Sequence, residues 1–258
     1  MLKNNDFERI IEESKMKIEE LKLPIFEYKL SSMVDKSSDI KKPSELATFI
    51  EHTALKPETN VNEIVLLCNQ AIKYKFLGVC VNPVYVPIAK KELRGTDCLV
   101  VTVISFPLGM SLTDIKVAEV EKTLSLGADE IDMVMSIGLL KSKEYKSVFN
   151  DIRKVIEAAK NKPTKVIIET CFLTEEEKVI ACLLSQRAGA AYIKTSTGFG
   201  ISGASVEDVS LIRNVVGNKI GIKAAGGIRD FSTAKSMIMA GANRLGCSSS
   251  INIIKEES

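Results

Sequence analysis

The sequence predicts an α/β protein of the (β/α)8 TIM-barrel class, and three observations support this prediction. Short apolar runs without polar alternation recur along the chain, as in parallel strands that are buried on both faces. Segments with helical periodicity separate these runs, which is typical of a parallel sheet. Eight strand candidates in 258 residues match the size of one closed barrel. A doubly wound open sheet is the alternative, although no G-x-G-x-x-G segment follows an early strand.

The predicted elements can be assigned in order along the chain. The strands are expected at 49–53, 77–81, 99–105, 130–136, 165–170, 191–195, 219–224 and 243–247. The helices between them are expected at 61–75, 114–126, 143–160, 174–188, 206–216 and 231–240. Helix N-caps are predicted from residue type and position at Ser44, Thr113, Thr174 and Ser205.

Residues 1–44 differ from the predicted barrel domain, residues 45–258. Apolar residues from Phe7 to Leu21 recur at helical spacing among many Glu and Lys, and Pro24 ends that pattern. A polar connector is expected from Ser31 to Pro43. We expect this helical extension to cover the barrel bottom or to form an interface, with a frayed tail as the alternative.

Composition argues against several classes of function. The formal net charge is +2, and aromatic residues make up 5% of the chain with no Trp, so nucleic acid is not an expected partner. No apolar run approaches the ~18 residues of a membrane span, and the N-terminus lacks the apolar core of a secretory signal. Six cysteines without a C-x-x-C pair indicate a reducing, cytoplasmic location. The single histidine, His52, excludes a His-rich metal centre and is expected to be a hydrogen-bonded strand-end residue.

Two lysines stand near the ends of neighbouring predicted strands. Lys223 follows Lys194 by 29 residues, which is about one strand-helix-strand step. Two ammonium groups on adjacent strands repel each other, so one of them loses its proton more easily. A neutral lysine attacks carbonyl carbon. We therefore predict that Lys194 forms a Schiff base and that Lys223 helps to keep it uncharged.

Other residues at the strand ends fit the same chemistry. Asp132 lies in an apolar strand, where an unpaired carboxylate is costly, so we expect a lysine partner; a purely structural ion pair is the alternative. Cys80 either faces the site or is an inert buried thiol. Glycines and serines cluster after the last three strands, at Gly198, Gly226, Gly227, Gly246, Ser248 and Ser249. Loops after strands seven and eight often bind phosphate in barrels, with plain turns as the alternative.

Eight segments of the barrel region carry a family resemblance. They are 50–57 (IEHTALKP), 79–83 (VCVNP), 105–109 (SFPLG), 130–134 (EIDMV), 165–170 (KVIIET), 192–199 (YIKTSTGF), 223–229 (KAAGGIR) and 246–249 (GCSS). Together, and in this order, they resemble the deoxyribose-phosphate aldolase family. The matches span about 46–250, which makes the set far more specific than any one motif.

The resemblance implies a class I aldolase, a lyase without metal or cofactor that forms a homodimer or homotetramer. Such an enzyme reversibly cleaves a phosphosugar, 2-deoxy-D-ribose 5-phosphate, to acetaldehyde and D-glyceraldehyde 3-phosphate in deoxyribonucleoside catabolism. By position, Lys194 matches the Schiff-base lysine, Lys223 the lysine that tunes it, and Asp132 the proton-relay carboxylate. The resemblance also places the phosphate at the glycines and serines named above. Three further residues are expected to contact the substrate: Glu51, Cys80 and Thr197.

The chain departs from the family pattern at three places. Glu51 stands where the family usually has Asp, and Ser136 where it often has Asn. The C-terminal segment 253–258 lacks the tyrosine that some members carry. Two other functions stay open: another Schiff-base barrel aldolase or transaldolase, and a barrel that binds a phosphosugar without catalysis.

Overall fold

Eight parallel strands form a closed barrel in sequence order in the computed structural model, which describes residues 4–28 and 40–255. The closed order confirms the predicted (β/α)8 class and excludes the doubly wound alternative. The strands are β1 Ile50–Ala54, β2 Gly78–Val81, β3 Leu99–Ile104, β4 Glu130–Val134, β5 Thr164–Ile167, β6 Tyr192–Lys194, β7 Gly221–Ala225 and β8 Arg244–Cys247.

The helices surround the barrel, and each predicted helix after β1 is present. They are α1 Asn4–Glu20, α2 Val61–Tyr74, α3 Val86–Glu92, α4 Thr113–Ser125, α5 Ile137–Lys141, α6 Tyr145–Ala158, α7 Glu175–Arg187, α8 Val206–Val216, α9 Phe231–Met239 and α10 Ser250–Ile254. Helices α3, α5 and α10 were not predicted, because segments of five to seven residues are too short to show periodicity. None of the helices in the described ranges has the length and hydropathy that a membrane crossing needs.

Two of the four predicted N-caps are confirmed. The Thr174 hydroxyl accepts from the Glu177 N–H in a capping box, and the Ser205 hydroxyl accepts from the Asp208 N–H. The cap predicted at Ser44 is wrong, because Pro43–Phe49 forms a 3-10 helix that starts one residue earlier.

The cap predicted at Thr113 is also wrong. Leu112 occupies the cap position of α4. The hydroxyl of Thr113 instead donates to the Oδ1 atom of Asp151 at 2.8 Å, so tertiary contact replaces local capping at this residue.

The interior of the barrel has two unlike halves. Strands β2 and β3 contribute a small apolar cluster that includes Cys80, Val101 and Val103, with Leu55 just beyond β1. The rest of the interior carries buried charged side chains, from strands β4 to β8 and from Glu51 on β1. The main apolar core lies outside this, between the strands and the surrounding helices.

The described part of the extension lies along α7 and ends at the barrel bottom. Helix α1 packs against α7, and Lys17 forms an ion pair with Glu176 at 2.5 Å. Further on, the Phe26 ring lies 3.6 Å from the Arg153 guanidinium, and the Phe26 N–H donates to the carbonyl of Arg187, the last residue of α7. Residues 31–39 of the predicted connector lie outside the described residues.

Candidate active site

Lys194 and Lys223 lie side by side, as predicted. They are register partners on the parallel strands β6 and β7. Both ammonium nitrogens contact the same carboxylate oxygen, Asp132 Oδ2, at 2.9 Å from Lys194 and 2.7 Å from Lys223. Lys223 is fully buried, and Lys194 is almost so. The lysine partner expected for Asp132 is therefore present, and Lys165 adds a third at 2.9 Å from Oδ1.

Lys223 is held as a cation. Burial by itself lowers the pKa of Lys223, but the carboxylates of Asp132 and Glu51 more than offset it, so the pKa is raised above its ordinary value. A direct ion pair with Glu51 Oε2 fixes the ammonium group. Lys223 thus places a permanent positive charge beside Lys194.

Asp132 is held as a carboxylate. Burial raises the pKa of Asp132, but Lys165, Lys194 and Lys223 together bring it well below its usual range. A carboxylate that stays ionised can accept a proton during a reaction, either directly or through water.

Lys165 is a site residue that the sequence analysis missed. It is fully buried, and its Nζ contacts Glu130 Oε2 at 2.6 Å, Asp132 Oδ1 at 2.9 Å and Glu51 Oε1 at 3.4 Å. Burial lowers the pKa of Lys165, but these carboxylates raise it well above its ordinary value. A signal was present, since Lys165 begins a predicted apolar strand and is the register partner of Asp132 on β4.

A deeper layer of charge lies toward the barrel bottom. The Arg244 guanidinium lies 3.6 Å from Glu51 and 3.4 Å from Glu130, and it also donates to the Tyr192 hydroxyl at 3.3 Å. The resulting network, here called the ionic cluster, has three carboxylates and four basic groups: Glu51, Glu130, Asp132, Lys165, Lys194, Lys223 and Arg244.

Glu51 and Cys80 lie inside the barrel, below the mouth. Glu51 is fully buried, and its pKa is lowered because Lys165 and Lys223 outweigh the effect of burial. Burial raises the pKa of the Cys80 thiol, which favours the inert thiol over a nucleophile. Direct contact of either side chain with substrate stays a prediction.

Glu51, Cys80 and Asp132 bring potential metal-ligand atoms within 4.8 Å of one another. Both carboxylates, however, already bind lysine ammonium groups. A divalent cation here would meet Lys165 and Lys223 at close range, so this donor set does not suit a resident metal ion.

The predicted phosphate residues divide into two groups. Gly198, Gly226 and Gly227 adopt left-handed backbone conformations, with φ of 87°, 85° and 78°, in loops at the carboxyl ends of β6 and β7. A Cβ atom at Gly198 or Gly227 would meet nothing within 4 Å, so both face open space. Ser248 is exposed just after β8, and Ser249 is half-buried.

Gly246 differs from the other glycines, because it lies within β8 rather than in a loop. A Cβ atom there would lie 2.9 Å from Lys223 Cε and 3.0 Å from Ala225 Cβ. Its position beside Lys223 accounts for the glycine, and its phosphate contact stays a prediction.

Thr197 and His52 each have partners within the protein. The Thr197 hydroxyl donates to Glu169 and accepts from the Phe199 N–H at 3.0 Å. His52 Nδ1 lies 2.9 Å from Ser250 Oγ and Nε2 lies 2.9 Å from Gln70 Oε1, which confirms the structural interpretation of this histidine. Substrate contact by Thr197 stays a prediction.

Two aromatic rings that were not singled out from sequence border Lys194. Lys194 Nζ lies 6.0 Å from the centroid of the Phe106 ring. Phe106 meets Phe199 in a T-shaped contact with ring centroids 5.4 Å apart. These rings connect the loops after β3 and β6 over the mouth of the barrel.

Comparison with known proteins fits this geometry. The sequence model described as DeoC/LacD family aldolase matches residues 41–256. The chain belongs to the DeoC/LacD aldolase family. As a DeoC/LacD aldolase the protein is a lyase, and the family resemblance inferred from its sequence motifs is confirmed.

Named relatives of this DeoC/LacD aldolase are similar over most of its barrel region. The deoxyribose-phosphate aldolase of Coprothermobacter proteolyticus is 55% identical over 212 residues, which is 82% of this chain and 97% of that protein. The deoxyribose-phosphate aldolase of Thermotoga maritima is 52% identical, over 82% of this chain and 85% of the relative.

Solved structures give the same result. The crystal structure of a putative deoxyribose-phosphate aldolase from Coccidioides immitis superposes with a TM-score of 0.81 and 39% sequence identity. The match covers 98% of this chain and 97% of the other chain. The tetrameric deoxyribose phosphate aldolase of Aeropyrum pernix has a TM-score of 0.80 and 28% sequence identity, and the match covers 86% of this chain and 94% of that one.

Proposed function

We propose that this DeoC/LacD aldolase reversibly cleaves 2-deoxy-D-ribose 5-phosphate to acetaldehyde and D-glyceraldehyde 3-phosphate through a Schiff base on Lys194. The observation that carries the proposal is the single Asp132 oxygen that both Lys194 and Lys223 contact. One lysine is anchored as a cation, and the other stands beside it near the mouth. The choice of substrate rests on the names of the relatives, which are deoxyribose-phosphate aldolases.

The charge balance of the ionic cluster supports Lys194 as the nucleophile. With every basic group protonated, the cluster carries one excess positive charge inside a low-dielectric barrel. Lys165, Lys223 and Arg244 each contact two or more carboxylates, whereas Lys194 contacts Asp132. Loss of a proton from Lys194 removes the excess charge at the smallest cost in ion pairs and frees the lone pair that attacks a carbonyl.

In the cleavage direction, the Lys194 nitrogen attacks the sugar aldehyde carbon, and water leaves to give an iminium. The carboxylate of Asp132, through a water molecule, takes the C3 hydroxyl proton as the C2–C3 bond breaks. The bonding electrons pass to the iminium nitrogen and form an enamine, while D-glyceraldehyde 3-phosphate departs. The enamine is protonated at C2, and hydrolysis releases acetaldehyde and free Lys194.

The other residues have roles that follow from their places. Lys223, fixed by Glu51, keeps a positive charge beside the forming iminium and so discourages protonation of Lys194. Loops that carry Gly198, Gly226 and Gly227, with Ser248 and Ser249, offer backbone N–H and hydroxyl donors to the phosphate. Because the iminium itself accepts the electrons, the reaction needs no metal ion or cofactor.

The same proposal includes a cellular setting and an assembly. We place the reaction in deoxyribonucleoside catabolism, in the cytoplasm. A homodimer or homotetramer is the expected assembly, supported by the tetrameric structure described for the Aeropyrum pernix relative.

The test is reduction with borohydride in the presence of acetaldehyde, followed by peptide mass mapping. We expect one reduced adduct, on Lys194, and its loss in the Lys194→Met variant. Lys219→Met, which removes an exposed lysine, is the matched control and should form the same reduced adduct on Lys194 as the wild type. A parallel assay follows release of D-glyceraldehyde 3-phosphate from 2-deoxy-D-ribose 5-phosphate.

Each other outcome points to a different function. An adduct on Lys223 keeps the aldolase class but reverses the two lysine roles. An adduct on Lys194 without turnover of 2-deoxy-D-ribose 5-phosphate indicates another Schiff-base aldolase or a transaldolase. No adduct, with phosphosugar binding intact, indicates a barrel that binds without catalysis.

A further inference from the structure

Glu169 is a buried carboxylate that the mechanism above does not use. It follows β5 and is only 3% exposed. Its backbone is left-handed, with φ of 49°, a conformation that costs a residue other than glycine about 1 kcal/mol or more. A buried carboxylate must be hydrogen-bonded, and the groups that bind this one are neutral. A strained and buried residue of this kind is held in place by its surroundings and is typical of a functional site.

The Cys171 thiol donates to Glu169 Oε1 at 3.8 Å, and the other partners of Glu169 lie in the loop after Lys194. Both carboxylate oxygens accept from the Thr197 N–H, each at 3.2 Å, and the Thr197 hydroxyl donates to Oε2. That hydroxyl in turn accepts from the Phe199 N–H. A Cβ atom at Gly200 would lie 3.2 Å from Glu169 Oε1, so the loop closes tightly against the carboxylate. Glu169 therefore fixes the beginning of the loop three residues beyond Lys194.

The far end of the loop is fixed separately. The Ala204 N–H donates to the carbonyls of Ala225 and Gly226, at 3.1 and 3.0 Å. Between the two anchors, Gly198 has a left-handed backbone and open space beside it. Because the N–H groups of Thr197 and Phe199 are bound inside the protein, Gly198 is the first position of the loop that faces the mouth.

We propose that Glu169 is a positioning residue that holds the Gly198 backbone where it binds the substrate phosphate, and that it takes no part in the Schiff-base chemistry. This inference rests on the proposed function. Loss of Glu169 should therefore affect substrate binding and not the chemical step. A loosened loop weakens binding of the phosphate but leaves Lys194, Asp132 and Lys223 in place.

The experiment compares Glu169→Ala and Glu169→Gln with the wild type. Glu207→Gln, an exposed carboxylate in the first turn of α8, is the matched control. For Glu169→Ala we expect KM for 2-deoxy-D-ribose 5-phosphate to rise about 10- to 100-fold, the range for loss of charge-assisted hydrogen bonds, with kcat within about threefold. Glu169→Gln, which keeps one acceptor oxygen, should lie between Ala and the wild type.

The phosphate-free readout is the rate of borohydride trapping with acetaldehyde. It should change by less than about twofold in all three variants, since acetaldehyde carries no group for the loop to bind. A trapping rate that falls in step with the loss of phosphosugar turnover would place Glu169 in the chemical step and overturn the inference. An unchanged KM, or a lower KM for Glu169→Gln, would overturn it as well.

Failure of this inference is distinguishable from failure of the proposed function. If the wild type forms no acetaldehyde adduct, the proposed function fails first. If all variants form the adduct and KM is unchanged, only the positioning role fails. Circular dichroism checks the fold of each variant, and if Glu169→Ala does not fold, the KM of Glu169→Gln decides the question.

Discussion

The ammonium groups of Lys194 and Lys223 contact one oxygen atom of Asp132 from adjacent, register-paired strands. This arrangement makes the two lysines unequal. Lys223 also binds Glu51 and is buried completely, while Lys194 ends β6 at the mouth. The pair is therefore a cation anchored by two carboxylates next to a lysine that one carboxylate holds.

Replacing Lys223 with Leu tests this inequality. Asp132 then has one cation fewer, and Lys194 loses the positive charge that faces it across the shared carboxylate oxygen. We expect turnover at pH 7 to fall at least about 100-fold and to recover partly as pH rises. The measurement is a pH–rate profile of phosphosugar cleavage, with Lys56→Leu, an exposed lysine, as the control. An unchanged midpoint and rate would contradict the repulsion argument.

Lys165→Met tests the contribution of the ionic cluster to stability. The change leaves Glu51, Glu130 and Asp132 buried with fewer cations, and an uncompensated buried charge costs about 3–5 kcal/mol of unfolding free energy. Urea unfolding followed by circular dichroism measures the loss, and Lys219→Met serves as the exposed control. A loss below about 1 kcal/mol would mean that the remaining basic groups compensate for Lys165.

Gly246→Ala tests whether the glycine exists to make room for Lys223. The added methyl would lie 2.9 Å from Lys223 Cε, so the lysine must shift. We expect turnover to fall about 10-fold or more, since small displacements near the chemistry are costly, and stability to fall by about 1–3 kcal/mol. In the control, Gly138→Ala, the methyl meets Met110 at an ordinary 3.5 Å. If KM for the phosphosugar rises while kcat is unchanged, Gly246 serves the phosphate instead.

His52→Gln separates a structural histidine from a catalytic base. His52 bonds to Ser250 and Gln70, so we expect about 1 kcal/mol of lost stability and turnover within about twofold of the wild type. Burial lowers the pKa of His52, so as pH falls the unfolded chain takes up the proton before the folded protein does. The stability linked to His52 is thus complete above about pH 6.5 and declines below it.

The pH part of this prediction has its own measurement. The unfolding free energies of the wild type and His52→Gln are measured at pH 7 and pH 5. The difference between the two proteins should be smaller at pH 5 than at pH 7. A turnover loss greater than about 100-fold without unfolding would instead indicate a catalytic base.

The sequence predicted the barrel well, because each unit repeats the same strong signal. Every predicted strand is present, with ends that differ by no more than three residues. Helix starts were less reliable: Thr174 caps α7 as expected, but Thr113 is recruited by the buried Asp151 instead. Local sequence cannot show such a distant partner.

The sequence predicted the site residues toward the carboxyl ends of the strands but missed the basic residues near the strand starts. Lys194 and Lys223 stand out because strand-end cations are unusual. Lys165 is the second residue of β5 and Arg244 the first of β8, near the strand starts, where a basic residue ordinarily faces solvent. Whether they point into the barrel depends on strand register, which is set by the closed sheet as a whole. Glu169 was noted as a strand-end residue, but its tie to Thr197 depends on the path of a loop.

Warming should affect the two halves of the barrel interior differently. The free-energy penalty for removing charged groups from water falls as temperature rises, whereas apolar burial per unit area levels off. The net contribution of the ionic cluster therefore improves with heat, while that of the apolar side around Val101 and Val103 does not. The charged groups of β1 and of β4 to β8 that surround Lys194 thus form the part of the interior that tolerates high temperature best.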